Sequence, residues 1–171
     1  MSRVTTMATA ASAAVQNTPR TGFESNGTIF GRILRGELPA KVVYEDDLLL
    51  GFLDISPASA LHALIIPKEQ VVRTASDLNP AHAELVRHMA SVAEDVARAN
   101  GVMEPTKAKV SGELGVGFHL WPLISVNHLH LHVIHPLPAA SFWHRMLFPQ
   151  HFGSVFVSAD GVLERLQRIE S

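Results

Sequence analysis

The sequence contains no cysteine, and this absence excludes disulfide bonds, thiol catalysis and every cysteine-based zinc site. It has no excess of basic residues either: 14 Lys and Arg stand against 16 Asp and Glu, for a formal charge of −2. Tight, salt-driven binding to a nucleic acid duplex is therefore not expected. No apolar run approaches the roughly 18 residues of a membrane-spanning helix. What the chain does have is 47% apolar residues in a length of 171, which is enough for the core of one domain.

The first 27 residues differ in composition from the rest of the chain. They are rich in Ala, Ser and Thr, carry Arg3 and Arg20, and contain no acidic residue before Glu24. This composition resembles a transit peptide, and it also fits a disordered extension. We predict a disordered or targeting extension at 1–27 and one domain with a C-terminal tail at 28–171. The expected location is cytoplasmic or nuclear, with organellar import as the alternative.

Apolar periodicity predicts an α+β fold. Helical spacing indicates a short N-terminal helix at 29–35, and Asn79-Pro80 begins one long helix that ends at Asn100-Gly101. Residues 112–121 contain three glycines and are predicted as a loop. The tail is predicted to hold an apolar segment, a short strand and a final helix, at 142–148, 154–157 and from 158 onward. Strand-like patterns indicate an antiparallel sheet of five strands, at 41–45, 48–53, 62–66, 107–111 and 125–135.

The run His128-Leu-His-Leu-His-Val133 alternates histidine with apolar residues. Successive side chains of a strand point to opposite faces, so three imidazoles are expected on one face and the apolar side chains in the core. Seven of the ten histidines lie between His119 and His151, and this clustering indicates a functional site.

Three interpretations of the histidine face compete. Two imidazoles about 6.6 Å apart along a strand can form a zinc pair, with His62, Asp54 or His119 as a third ligand. Alternatively, one imidazole attacks phosphorus to form a covalent phospho-histidine, while its neighbours neutralise the developing charge. The third interpretation is structural, with the histidines hydrogen-bonded inside a sheet. Their strict alternation, with polar Ser125 and Asn127 just upstream, disfavours it.

Residues 128–134 resemble the His-φ-His-φ-His-φ-φ signature of the histidine-triad (HIT) superfamily of nucleotide hydrolases and transferases. The resemblance extends to 29–47, which looks like the family's first helix and hairpin, and to 53–68, which looks like its ribose-binding turn and following strand. Residues 117–132 and the tail ending at 156–160 are similar to the branch that contains histidine-triad nucleotide-binding protein three and, more distantly, aprataxin. The resemblance implies a HIT-like fold, a homodimer, and a purine nucleoside phosphoramidase that releases adenosine monophosphate from a covalent nucleotidyl-histidine.

The resemblance also implies a role for each matching residue. His130 would be the nucleophile, and His132 would contact the phosphate and help to protonate the leaving group. His128 would orient the nucleophile through its backbone carbonyl, with His62 supporting that network. Asp54 would accept both ribose hydroxyls. The other nucleotide-binding residues would lie at the phosphate and at the base: Ser125 and His119, and Ile55, Phe30, Ile33 and Leu53.

The sequence departs from the family at two places. Many members hold zinc through a Cys-x-x-Cys pair near the first helix; Thr28-Ile-Phe-Gly31 stands there instead, so neither a metal nor a cofactor is expected. The better-studied phosphoramidases place a Gly-Gln pair before the serine of the motif. Leu123-Ile124 replaces that pair, which removes a phosphate contact and puts catalytic efficiency in question.

These departures keep other functions open. One alternative is hydrolysis of dinucleoside polyphosphates or of adenylylated nucleic-acid ends. Another is a nucleotide-binding interaction module with weak catalysis. The expected partners are a purine nucleotide of the adenosine monophosphate type and a second copy of the chain, without a membrane or a nucleic acid.

Overall fold

The structure, a computed structural model, describes residues 26–120, 123–140 and 155–170, together with the backbone of 14–16. The predicted apolar segment at 142–148 and most of the predicted extension at 1–27 lie outside the described residues, so the division into extension and domain stays a prediction. The described strands are β1 (Ala14–Gln16), β2 (Ala40–Glu45), β3 (Leu49–Leu53), β4 (Leu61–Pro67), β5 (Gly115–His119), β6 (Leu131–His135) and β7 (Phe156–Ser158). The described α-helices are α1 (Ile29–Leu34), α2 (Ala83–Ala99), α3 (Pro105–Ser111) and α4 (Ala159–Glu170).

The described strands form one antiparallel sheet in the order β1-β2-β3-β4-β6-β5-β7. The predicted α+β class with an antiparallel sheet is confirmed. The predicted number of five strands is too small, because the described part of the chain already contributes seven strands, with β1 and β7 at the two ends of the sheet.

The sheet carries a separate apolar core on each face. The larger core lies between the sheet and α2, α3 and α4, and it includes Leu131 and Val133 of β6. The smaller core lies between the sheet and α1, where Phe30 packs with Phe52 of β3. His132 stands between Leu131 and Val133, so strand alternation turns its side chain toward the α1 face.

The predicted long helix is confirmed. The Asn79 side chain accepts a hydrogen bond from the backbone N–H of Ala81 at 3.0 Å, and Pro80–His82 forms a 3₁₀ turn that leads into α2. The spacing of Leu85, Met89, Val92 and Val96 predicts a single buried stripe. Met89, Val92 and Val96 are buried, and Leu85 is half-buried at the edge of the larger core. Among the described helices, none is long and apolar enough to cross a membrane.

The prediction of a fourth strand at 107–111 is wrong, because α3 occupies this stretch. Pro105 stands at the first turn of the helix, and Gly112 ends it with a left-handed φ of 78°. Alternation of lysine with apolar residues suggested a strand, yet Val110 is 86% exposed. The two helix boundaries were therefore the stronger local signal.

The strand that follows, β5, replaces the predicted loop at 112–121. Gly117 pairs with His132 on one side and with Ser158 on the other. A Cβ atom at Gly117 would lie 2.5 Å from the backbone oxygen of Val157 and 2.6 Å from the Phe156 ring. The glycine marks a close approach between neighbouring strands, and a glycine in a strand often has this meaning.

The predicted strand at 125–135 is shorter than expected, because β6 begins only at Leu131. Residues 128–130 lead into it, and the backbone N–H of Leu129 bonds to the Val72 carbonyl at 3.2 Å. Leu129 is nevertheless buried in the larger core beside Leu131 and Val133, so the predicted core positions of the run are confirmed.

Candidate functional site

The adjacent strands β4 and β6 bring two histidines together on the α1 face. Leu64 of β4 pairs directly with His132, and His62 lies two residues before Leu64, so both histidines point to the same side. Their rings approach with His62 Nε2 2.9 Å from His132 Nδ1. The pairing of β4 with β6 is therefore what assembles this part of the site.

His130 has one ring nitrogen held by the backbone. Its Nδ1 lies 2.7 Å from the backbone oxygen of His128, and a carbonyl can only accept, so Nδ1 carries the hydrogen. In the neutral ring the lone pair is then on Nε2. The His130 and His132 ring centroids are 5.1 Å apart. This arrangement presents a nucleophilic nitrogen beside a second imidazole.

The proton of His132 is also determined by hydrogen bonding. The backbone N–H of Ala58 donates to His62 Nδ1 at 3.1 Å, so the hydrogen of a neutral His62 ring lies on Nε2. That hydrogen is donated to His132 Nδ1, and the hydrogen of His132 then lies on its own Nε2. One backbone N–H thus sets the tautomers of two histidines.

Burial keeps the histidines of the triad neutral. His128, His130 and His132 are 0%, 6% and 5% exposed. Burial lowers the pKa of His128 and that of His130, although the carbonyls that they contact act in the opposite direction. Burial also holds the pKa of His132 well below 6.5, and the neighbouring histidines His130, His119 and His62 lower it further. A neutral imidazole is the form that can act as a nucleophile.

We expect these lowered pKa values to make the fold less stable in mild acid. The unfolded chain takes up protons near the ordinary histidine pKa of 6.5, while the folded triad stays neutral to lower pH. Stability is therefore fully present above pH 6.5 and falls as the pH drops below it, by about 1.4 kcal/mol per pH unit for each histidine that remains neutral. Urea unfolding at pH 7.5, 6.5 and 5.5 measures this slope.

The replacement His128→Gln supplies the control for that experiment. This replacement should make stability fall less steeply between pH 6.5 and 5.5, by about 1.4 kcal/mol per pH unit, because one buried imidazole is removed. A free energy of unfolding that does not change between pH 6.5 and 5.5 would contradict the expectation.

Two more predicted site residues lie next to this pair of histidines. Asp54 follows β3, and its Oδ2 is 3.7 Å from His62 Nε2. The other carboxylate oxygen accepts the backbone N–H of Ser56 at 2.8 Å, which orients the group. His119 ends β5 with its ring centroid 4.6 Å from that of His132. The sheet therefore gathers Asp54, His62, His119 and His132 from four strand ends.

The predicted base-pocket residues separate into two groups. Phe30 stands with its edge toward His130, at a centroid distance of 5.3 Å, and Ile33 packs in the same α1 core. Leu53 instead packs with the larger core on the opposite face, so the structure does not bring it to the Phe30 side. Phe52, the residue before Leu53, lies against Phe30, and sequence reasoning did not identify it as a pocket residue. Adjacent residues of a strand point to opposite faces, and this alternation at the end of β3 was the signal for choosing Phe52.

Ile55 and Ser125 are placed in exposed segments. Ile55 is 98% exposed in the turn after Asp54, and Ser125 is exposed in the segment before His128. Their predicted contacts with the base and with the phosphate stay predictions.

A further residue, Asn26, was not found by sequence reasoning. It is 3% exposed, and its side-chain nitrogen lies 2.8 Å from His128 Nδ1. Asn26 precedes the motif histidine by 102 positions, within the stretch that composition assigned to the extension. Composition alone contains no signal for such a contact.

The donor atoms of Asp54, His62 and His132 lie within 4.8 Å of one another, close enough to consider a metal ion. A metal on His62 Nε2 would displace the hydrogen of that nitrogen to Nδ1. There it would face the N–H of Ala58, which donates to Nδ1 at 3.1 Å, and two donors would oppose each other. Hydrogen bonding therefore favours a proton over a metal between these histidines, and the expected absence of a metal stays a prediction.

Two surface cavities lie away from the histidine pair, around α3. They measure about 440 and 410 Å³ and share Met103, Glu104 and Lys107 in their walls. They hold neither a residue of the triad nor Asp54. The chemistry therefore has to be sought at the histidines and not in these cavities.

Comparison with known proteins agrees with the geometry of this site. The family model described as "Scavenger mRNA decapping enzyme C-term binding" matches residues 27–146. The chain is 32% identical over 148 residues to adenosine 5′-monophosphoramidase HINT3 of Mus musculus, covering 85% of this chain and 84% of that relative. It is 34% identical over 107 residues to purine nucleoside phosphoramidase of Escherichia coli K12, covering 63% of this chain and 85% of the relative.

Solved structures show the same fold. A HIT family hydrolase from Clostridium thermocellum is 27% identical with a TM-score of 0.55, covering 64% of this chain and 90% of that one. A HIT family hydrolase from Legionella pneumophila is 34% identical with a TM-score of 0.52, covering 62% of this chain and 89% of that one.

Proposed function

This chain belongs to the histidine-triad superfamily, and we propose that it is a hydrolase that cleaves the P–N bond of adenosine 5′-phosphoramidates through a nucleotide attached to His130. The observation that carries the proposal is the hydrogen bond from His130 Nδ1–H to the His128 carbonyl at 2.7 Å, which leaves the Nε2 lone pair for attack. Relatives named as phosphoramidases support the choice of the P–N bond.

In the first step His130 Nε2 forms a bond to phosphorus and the P–N bond breaks. His132 acts here as the general acid in the form that carries a second proton when the anionic substrate is bound, and it becomes neutral as the leaving nitrogen takes the proton of its Nε2 and departs as an amine. The His130 ring gains positive charge in this step. The His128 carbonyl on Nδ1–H and the Asp54 carboxylate both favour that charge, because each favours the protonated form of His130.

In the second step water attacks the same phosphorus. His132 Nε2 takes a proton from that water, the bond between phosphorus and His130 breaks, and adenosine monophosphate is released. Over both steps one phosphoramidate and one water give one nucleotide and one amine. The enzyme returns to its starting protonation state.

Asp54 is proposed to bind the ribose. Its Oδ1 is held by the Ser56 N–H, and its Oδ2 lies toward His62, so the carboxylate is oriented at the edge of the histidine group. Two acceptor oxygens suit two adjacent hydroxyl donors. Phe30 lies beside His130, with ring centroids 5.3 Å apart, and offers an aromatic surface for the base.

The homodimer is also a proposal. Strand β5 is paired on both edges, with β6 and with β7, so among the described strands β7 and β1 stand at the ends of the sheet where two sheets could join. Sedimentation velocity of the full chain should show a species of twice the chain mass. A monomer alone at micromolar concentration would reject the dimer.

A substrate panel tests the proposed activity. The full-length protein is incubated with adenosine 5′-phosphoramidate, a diadenosine polyphosphate and a 5′-adenylylated DNA end, and the release of adenosine monophosphate is measured. We expect the highest kcat/KM for the phosphoramidate. Rapid quenching in an alkaline denaturant, which preserves the acid-labile P–N bond of a nucleotidyl-histidine, followed by mass spectrometry should find the adenylyl group on a peptide that contains His130.

Two other results of this panel would each favour an alternative function. Faster turnover of the polyphosphate or of the adenylylated end would replace the P–N bond as the substrate class. Calorimetric binding of adenosine monophosphate without turnover of any of the three would favour the interaction module.

A further inference from the structure

We propose that Asn26 is a positioning residue for the nucleophile, because it determines which nitrogen of His128 carries the proton and so holds the carbonyl that orients His130. The proposal deepens the proposed function and rests on it for its kinetic part. Its structural part concerns only the protonation of His128 and can be tested without substrate.

The direction of the Asn26 amide follows from two backbone donors. The N–H of Gly31 donates to Thr28 Oγ1 at 3.2 Å, which leaves the hydroxyl hydrogen of Thr28 for another acceptor. Asn26 Oδ1 receives that hydroxyl at 2.7 Å and the backbone N–H of Thr28 at 3.1 Å. Two donors on Oδ1 fix it as the oxygen, so the NH₂ group faces the opposite way.

The NH₂ group of Asn26 then decides the tautomer of His128. It lies 2.8 Å from His128 Nδ1, which must accept because an amide nitrogen only donates. The hydrogen of His128 is therefore on Nε2, and it is donated to the Pro67 carbonyl at 2.8 Å. Both ring nitrogens of a fully buried side chain are satisfied in this arrangement.

The backbone of His128 connects its fixed ring to the nucleophile. The carbonyl of His128 accepts the Nδ1–H of His130 at 2.7 Å, and the His128 ring is held between Asn26 and Pro67. Phe30 closes the remaining side, with its ring 5.8 Å from His128 and 5.3 Å from His130. A shift of the His128 ring would therefore move the carbonyl that aims His130 Nε2.

The backbone of Asn26 is held as firmly as its side chain. The Asn26 carbonyl accepts Arg35 Nη1 at 2.8 Å. A Cβ atom at Gly31 would lie 2.0 Å from that same carbonyl oxygen, so α1 packs directly on Asn26. Asn26 is thus built into the site by its main chain and by its side chain.

The first test reads the tautomer of the wild-type protein. In ¹⁵N-detected histidine spectra of the full chain at pH 7, His128 should show an unprotonated Nδ1 and a protonated Nε2. The opposite tautomer in the wild type would overturn the proposal without any variant.

The second test is Asn26→Asp, which replaces the donor by an acceptor of nearly the same shape. Two acceptors, the new carboxylate and the Pro67 carbonyl, would then face the two ring nitrogens, and His128 would satisfy both by binding a second proton. The spectrum at pH 7 should show two N–H groups on His128. For the phosphoramidate we expect kcat to fall about 10- to 100-fold with KM changed less than threefold.

A second replacement, Asn26→Ala, removes the donor without adding charge and serves if Asn26→Asp does not fold. It should give a mixture of His128 tautomers and a smaller loss of kcat. The matched control is Asn127→Asp, the same chemical change at an exposed residue next to His128. It should keep the wild-type tautomer and kcat.

An unchanged His128 spectrum in Asn26→Asp and Asn26→Ala would overturn the proposal, as would an equal loss of kcat in Asn127→Asp. Failure of the proposed function would look different. In that case the wild type would not turn over the phosphoramidate, while the tautomer of His128 would still respond to Asn26→Asp.

Discussion

Replacing His130 by alanine should lower kcat for adenosine 5′-phosphoramidate by about 10⁴-fold or more, as removal of a covalent nucleophile generally does. The reason is that His130 Nε2 is the nitrogen whose lone pair is freed by the hydrogen bond from Nδ1 to the His128 carbonyl. The neighbouring His132 differs, because its Nδ1 lone pair accepts the hydrogen of His62 and its Nε2 carries a hydrogen. Neither nitrogen of His132 therefore offers a lone pair for attack on phosphorus. Steady-state turnover of purified His130→Ala protein measures the effect, and the adenylyl group should disappear from peptides that span position 130.

His135→Ala is the matched control for this experiment. His135 ends the same strand, but its position next to Ile134 turns it to the opposite face from His132, toward the cavity beside Glu113. This control should keep kcat within about twofold of the wild type, because His135 is remote from the nucleophile. Activity of His130→Ala within tenfold of the wild type would contradict the covalent mechanism.

Replacing Gly31 by alanine should destabilise the protein and reduce its activity together. Alanine is favoured over glycine inside a helix by about 1 kcal/mol. Here, however, its Cβ would lie 2.0 Å from the Asn26 carbonyl oxygen and 2.7 Å from Asn26 Cγ, so α1 and Asn26 must move apart. Such overpacking costs about 3 kcal/mol, so the clash outweighs the helix preference. We expect a net loss of about 2 kcal/mol in urea unfolding at pH 7.5.

The same change should also lower kcat, because displacement of Asn26 releases His128. Gly27→Ala is the matched control: nothing lies within 4 Å of a Cβ at that position. Its free energy of unfolding should stay within about 0.5 kcal/mol of the wild type. Equal stability of Gly31→Ala and the wild type would mean that α1 and Asn26 can separate at little cost, and would weaken the account of Asn26 as well.

Some parts of this protein could be predicted from the sequence because their physical signals are local. The helix α2 has its capping residue Asn79, its proline and its apolar stripe within one continuous segment. The histidine run shows in its own sequence which residues share a face. Leu129 and Leu131 alternate with the histidines and are buried as expected. Family resemblance added Asp54 and His62, and the structure brings both to His132.

Other parts failed because two local signals competed or because the deciding neighbour was distant. Residues 107–111 alternate like a strand, yet Pro105 and Gly112 bound them as the helix α3. Gly117 suggested a loop, and only the approach of Phe156 and Val157 explains why a strand has glycine there.

The sequence alone thus determined that three histidines stand beside a core, since side-chain alternation is a property of neighbouring residues. Only the tertiary structure decided which nitrogen of each histidine carries the proton. That choice depends on donors that lie far along the chain or in a turn: Asn26 is 102 positions from His128, and Ala58 acts on His132 through His62, 70 positions away. A tautomer follows from the group that a ring nitrogen meets in space, and the order of residues along the strand does not contain it.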